Sequence, residues 1–229
     1  MSIIHAQLCC LPVHQLRKSI HASGSMLCKR SGSIVATCGS ASKEITVTIP
    51  AELDDIRGHW AETYIRELFG KGIVTGVSAT RYAPSANIKR GDFVLMLYRT
   101  AGSPSVSGSC TFSDVKADAY YAKALTWAQQ QDIAKGDNGV FHPTNDLSRQ
   151  EAFALIHRAC GVLHKNLSAG DSSVLDSYND KDRLSSWAVQ PAVSLIASGI
   201  IQGSAGHLNP RDPLTRAEMA KILSCVLNY

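Results

Sequence analysis

Trp187-Ala188, Ser198-Gly199-Ile200-Ile201-Gln202-Gly203, Leu208-Asn209-Pro210 and Leu214-Thr215-Arg216-Ala217-Glu218 form the stretch that decides the fold, because its pattern recurs twice upstream. The second copy reads Tyr120-Tyr121-Ala122, Gln131-Asp132-Ile133-Ala134-Lys135-Gly136, Phe141-His142-Pro143 and Leu147-Ser148-Arg149-Gln150-Glu151. The first reads His59-Trp60-Ala61, Lys71-Gly72-Ile73-Val74-Thr75-Gly76, Tyr82-Ala83-Pro84 and Ile88-Lys89-Arg90-Gly91-Asp92. From the leading aromatic to the closing Gly is 16 residues in every copy, and from that Gly to the Arg is 14, 13 and 13. Spacing held this closely marks an internal repeat.

Each copy reads as helix, loop, helix. Trp60, Tyr64, Ile65 and Leu68 fall on one face at helical spacing, and Gly72 sits where a helix wants a left-handed residue just past its end. Pro84, Pro143 and Pro210 punctuate the loops. The second helix of a copy opens on a capping box, Ser148 with Glu151 and Thr215 with Glu218. The first copy departs, with Lys89 at the cap and Asp92 in place of Glu, a start expected to be weaker by about 0.5–2 kcal/mol. Stretches Gly102 to Ser109 and His164 to Ser173 read as linkers. One such unit buries too little apolar surface to fold alone. The expected architecture is therefore all-α: three helix-loop-helix repeats at residues 53–102, 110–163 and 174–228, joined as a three-lobed pseudo-trimer. Its shared core is expected from Leu95, Leu97, Leu155, Ile156, Ile222 and Leu223.

Residues 1–50 differ in kind. They hold five basic groups (Arg17, Lys18, Lys29, Arg30, Lys43), one acid (Glu44) and no Trp, Tyr or Phe. They therefore account for the whole formal charge of +4 on this 229-residue chain, and the remainder is neutral. They are expected to be a mostly disordered leader or the remnant of an upstream segment, apart from a short strand signal where Ile45, Val47 and Ile49 alternate with Thr46 and Thr48. No secretory signal is legible, since polar residues interrupt the apolar runs; the acid-free, Ser-rich composition is closer to an organelle transit peptide. Cys9, Cys10, Cys28 and Cys38, at spacings of 1, 18 and 10, lack the second close pair a structural zinc site needs, so no metal is expected. Cys160 and Cys225 fall in apolar helical runs and read as buried free thiols.

Composition also narrows function. A nucleic-acid binder carries a basic stripe on its folded part, and here that part is neutral. No run of 18 apolar residues occurs, so no membrane insertion is expected. No Gly-rich phosphate loop, H-E-x-x-H or G-x-S-x-G is found. The Asp176 to Asp182 run lacks the Gly and Glu of a calcium loop, and it aligns with the acidic lead-ins at Asp54-Asp55 and Asp114 as a structural feature. The chain is expected to be no enzyme and to need no cofactor. The recurrent chemistry is an arginine, Arg90, Arg149 or Arg216, in the first turn of each second helix. The helix dipole disfavours a cation there, so the position asks for an anion. Either an acid on a neighbouring unit or a ligand carboxylate meets that demand, the latter through the planar fork of guanidinium donors; the free amides of the same helix end favour an anion as well. Trp60, Tyr120 and Trp187 have two open roles, packing at a helix start or a face on which a sugar ring stacks.

The three copies resemble the S-layer homology (SLH) family over residues 53–228, with the T-R-A-E helix start unaltered at Thr215-Arg216-Ala217-Glu218. That resemblance implies a non-catalytic anchor at the bacterial cell surface, binding a secondary cell-wall polysaccharide that often carries pyruvate ketals. It implies Arg90, Arg149 and Arg216 as the carboxylate contacts, with the site on Arg90 altered by Lys89 and Gly91. Two alternatives stand beside it: a surface-layer protein that self-assembles through protein–protein contacts, and the C-terminal piece of a larger SLH-anchored enzyme.

Overall fold

The computed structural model describes the backbone of residues 30–38 and 41–49 and the whole of residues 52–229. Two strands, β1 (Arg30–Cys38) and β2 (Ala41–Ile49), pair antiparallel with Arg30 opposite Ile49 and Cys38 opposite Ala41. The strand signal at Ile45–Ile49 is thus the second half of β2, and extended structure in this segment reaches further than the sequence reading placed it. Cys9, Cys10, Cys28 and the part of the transit-like stretch before residue 30 lie outside the described residues.

Residues 53–229 form a separate unit whose regular elements are helical. The three repeats supply α1 (Glu62–Gly70) and α2 (Arg90–Thr100), α3 (Ala122–Gln130) and α4 (Arg149–Val162), and α5 (Ser186–Ala197) and α6 (Arg216–Asn228). The pairing is cyclic. Helix α2 packs on α3, α4 on α5 and α6 on α1, so the second helix of each unit lies against the first helix of the next. A single unit therefore lacks the partner its second helix needs, which is the physical reason the repeat comes as a closed set of three.

The axis of this ring is held by backbone. Ile88 N–H donates to the Leu214 carbonyl at 2.9 Å, Leu214 to Leu147 at 2.8 Å, and Leu147 back to Ile88 at 3.0 Å. All three side chains are fully buried, so these mutually satisfied amides sit where an unpaired one costs about 1–3 kcal/mol. Leu97, Leu155, Ile156, Ile222 and Leu223 join the core as expected; Leu95 is only partly buried against it. Cys160 is buried, and burial pushes its thiol up to about 11. Cys225, expected to be buried too, is only partly buried, packed against the edge of the core.

Two glycine positions explain the repeat's signature turn. Gly72 and Gly199 adopt φ of +70° and +69°, and Asp132 takes the same left-handed place in the second unit at +55°. The closing Gly is required for space. A Cβ on Gly76 would lie 2.4 Å from the Ser78 carbonyl oxygen, on Gly136 2.6 Å from the Phe112 ring, and on Gly203 2.4 Å from the His207 carbonyl oxygen.

Candidate functional site

Each loop is first anchored to its own unit by a carboxylate. Asp55 accepts the amides of Tyr82 and Ala83 at 2.8 and 2.7 Å, Asp114 those of Phe141 and His142 at 2.9 and 2.6 Å, and Asp180 those of Leu208 and Asn209 at 2.8 and 2.7 Å. Burial works to raise these carboxyls, but the paired amides outweigh it and hold all three below the ordinary aspartate value. The acidic lead-ins are therefore loop clamps, as the sequence alignment of Asp176–Asp182 with them suggests.

The arginines then tie each unit to the next. Arg90 donates Nε to the Phe141 carbonyl at 2.9 Å and Nη1 to Glu151 Oε1 at 2.7 Å. Arg149 donates Nε to the Leu208 carbonyl and Nη1 to Glu218 Oε1, both at 2.7 Å. Arg216 closes the ring, giving Nε to the Tyr82 carbonyl and Nη2 to the Thr75 carbonyl, both at 2.8 Å. Its interface has no glutamate partner because Asp92, one methylene shorter, stands at that position and accepts instead from the Tyr120 hydroxyl. Arg90 stacks 4.7 Å above the Phe141 ring and Arg216 4.4 Å above Tyr82. Where those rings stand, the third unit has Leu208, and Arg149 lies instead 6.0 Å from Phe153. Of the two roles left open by the sequence, the structure makes the tie to a neighbouring unit visible at every arginine, with an acid as partner at two of three. In each case one terminal nitrogen is left with no hydrogen-bond partner among the described residues: Nη2 of Arg90 and Arg149, Nη1 of Arg216.

The glutamates serve two helices at once. Glu151 Oε2 accepts from the Ser148 amide and hydroxyl at 2.8 and 2.6 Å while Oε1 holds Arg90; Glu218 does the same for Thr215 and Arg149. Lys89 supplies no cap to α2 and reaches Asp146 at 2.7 Å. One expectation is corrected here. The first amides of the second helices are not free for an anion: Arg90 and Gly91 donate to the carbonyls of Asn145 and Pro143, Arg149 and Gln150 to those of Asp212 and Pro210, and Arg216 and Ala217 to those of Ala86 and Pro84.

Trp60, Tyr120 and Trp187 stand at the starts of the first helices with 57%, 67% and 49% of their surface exposed, so none is a core packing residue. Trp187 forms one wall of a groove of about 560 Å³ whose floor is the second unit's loop and the outer face of α4. Arg90, Lys135, His142, Glu151 and Arg158 line it as well. Lys135 and Arg158 were not singled out from the sequence; the signal available was position, since they precede the closing Gly by one residue and follow the capping Glu by seven. Among the described residues no cluster of His, Cys, Asp or Glu is placed to hold a metal ion, and no helix is long and apolar enough to cross a membrane.

The family model described as S-layer homology domain matches residues 52–94, 111–153 and 177–220. Similar proteins include an amylopullulanase of Thermoanaerobacterium thermosulfurigenes, 29% identical over 84% of this chain and 10% of its own length. Exoglucanase XynX of Acetivibrio thermocellus is 31% identical over 74% of this chain and 16% of its own. The surface-layer 125 kDa protein of Lysinibacillus sphaericus is 27% identical over 80% of this chain and 16% of its own. The chain thus spans between a tenth and a sixth of the length of these relatives.

Proposed function

This chain belongs to the S-layer homology domain family, and from that premise we propose that residues 53–228 are a non-catalytic anchor that binds an anionic, pyruvylated secondary cell-wall polysaccharide at the bacterial surface. The observation that carries the reading is the groove that the half-exposed Trp187 lines together with the guanidinium-bearing Arg90 and Arg158. An indole face suits the apolar face of a pyranose, and a guanidinium suits the carboxylate of a pyruvate ketal. The free Nη2 of Arg90 is the donor through which that arginine meets the ligand while its other nitrogens keep the unit tied; Arg149 and Arg216 each retain one such donor, and Trp60 and Tyr120 are the aromatic residues at the corresponding positions.

The test is co-sedimentation of the full chain with purified cell-wall sacculi, before and after mild acid removal of pyruvate ketals. Binding is expected to disappear with the ketal and to fall at least tenfold in Trp187→Ala, assayed well below that variant's own melting temperature because half of the ring is buried. Equal sedimentation with ketal-free sacculi refutes the carboxylate mechanism. Concentration-dependent assembly of the chain with no wall present, together with failure to bind it, transfers the reading to a self-assembling surface-layer protein.

A further inference from the structure

The pseudo-threefold arrangement lets the groove on the second unit be compared, position by position, with its two counterparts. The arginine from the preceding unit is Arg216 for the first groove, Arg90 for the second and Arg149 for the third. The residue before the closing Gly is Thr75, Lys135 and Gln202 in the same order. The residue seven after the acid at the helix start is Arg99, Arg158 and Cys225. The aromatic wall comes from the following unit: Tyr120, Trp187 and Trp60. The second groove therefore gathers three cationic side chains, the first two and the third one.

The walls differ too. Tyr120 is tethered by donating its hydroxyl to Asp92 at the start of α2, whereas the half-exposed Trp187 is held by no such side-chain bond among the described residues. Within the second groove the acids are largely spent: Glu151 pairs with Arg90 and Asp146 with Lys89, leaving Asp137 against Lys135 and Arg158. Arg158 is half-buried. Nη1 donates to the Ile133 carbonyl at 2.9 Å, and no carboxylate lies within ion-pair reach of it among the described residues. A partly desolvated cation with only a neutral acceptor has unmet demand for an anion; burial alone already disfavours its charge.

We infer that the three grooves are not equivalent, that the chain has one competent site, on the second unit, and that Arg158 receives the ligand's carboxylate there while Trp187 carries the sugar ring. The inference rests on the proposed wall-binding function and sharpens it. Arg99 is a built-in control, since it makes the same backbone tie, Nη1 to the Ile73 carbonyl at 3.2 Å, in the first groove. Arg158→Gln and Arg99→Gln thus lose the same kind of backbone contact, and once their melting temperatures are matched, ligand contact is what separates them.

The experiment measures affinity of the full-length wild type, Arg158→Gln and Arg99→Gln for ketal-bearing sacculi, with the 4,6-pyruvate ketal of methyl glucoside as soluble competitor, after matching the variants by melting temperature. The expected result is an affinity loss of at least tenfold for Arg158→Gln and less than twofold for Arg99→Gln. Equal losses, or none in Arg158→Gln, overturn the single-groove assignment while leaving wall binding intact. A folded wild type that binds no sacculi overturns the function itself, and the groove assignment with it.

Discussion

Replacing Arg149 by alanine removes the arginine tie between the second and third units, and the cost follows from its contacts. Nε donates to a Leu208 carbonyl whose residue is fully buried, so a charge-assisted bond worth about 1.5–3 kcal/mol is lost and its acceptor is left dry. The Glu218 partner keeps a third of its side chain in solvent, which holds that half of the interaction to about 1 kcal/mol. Together the loss is about 3 kcal/mol, which lowers the melting temperature of a domain of this size by roughly 6–12 °C. Arg149→Lys keeps the charge but lacks the fork that serves both acceptors at once, and its drop is expected to be about half as large. Far-ultraviolet circular dichroism melts and urea titrations of the three proteins make the comparison. A change under about 2 °C for Arg149→Ala, at unchanged urea slope, refutes the argument that these arginines hold the ring. The magnitude also governs binding studies: loss of wall binding in an Arg149 variant counts only below its own melting range.

The loop clamps give a pH dependence. Asp55, Asp114 and Asp180 have folded values below their unfolded ones, near 3.9, so each adds stability that is present above that value and lost as pH falls through the lower folded value. Acid unfolding is expected to set in below about pH 4, and Asp180→Asn flattens that dependence while weakening the fold at neutral pH; an unchanged acid limb contradicts the clamp. Gly203→Ala is expected to cost about 1–3 kcal/mol because its Cβ meets the His207 carbonyl, whereas Gly72→Ala, with open space around it and φ of +70°, costs about 1–2 kcal/mol through backbone strain alone. Asp132→Gly is expected to stabilise by about 0.5–1 kcal/mol, read by urea titration, since it frees a left-handed position from its Cβ.

The repeat spacing made the helices, loops and capping boxes legible, because those depend on contacts within one unit. Ser148 with Glu151 and Thr215 with Glu218 are local pairs, and they form as read. What spacing does not encode is which unit a side chain reaches. The helix dipole shows that Arg90, Arg149 and Arg216 want an anion, yet Glu151 lies 61 residues from Arg90, and Glu218 lies 69 from Arg149. The amides at those helix starts are hidden for the same reason: their acceptors are carbonyls of the neighbouring loop. Trp60 has helical spacing with Tyr64, Ile65 and Leu68 on the core face, but it and Tyr120 precede the helix proper, and Trp187 stands in the first turn of α5, where each keeps about half or more of its surface in solvent.

Closing a ring of three unlike copies sets a limit on how each copy diverges. The central triangle of Ile88, Leu147 and Leu214 uses only backbone and buried apolar side chains, so it tolerates any sequence that keeps those positions apolar. The arginine ties are stricter: each needs a carbonyl from the neighbouring loop, and all three have one. The acid partner is dispensable, since Arg216 manages with the Thr75 carbonyl where Asp92 replaces Glu. Beyond these contacts, the positions before the closing Gly and one face further along the second helix carry no ring contact shared by all three units. That is where Thr75, Lys135 and Gln202, and Arg99, Arg158 and Cys225, differ. The fold thus holds its symmetry at the axis and releases it at the grooves. Under the proposed function, divergence at these positions leaves the ring's axis intact, which is how one groove out of three comes to be the competent one.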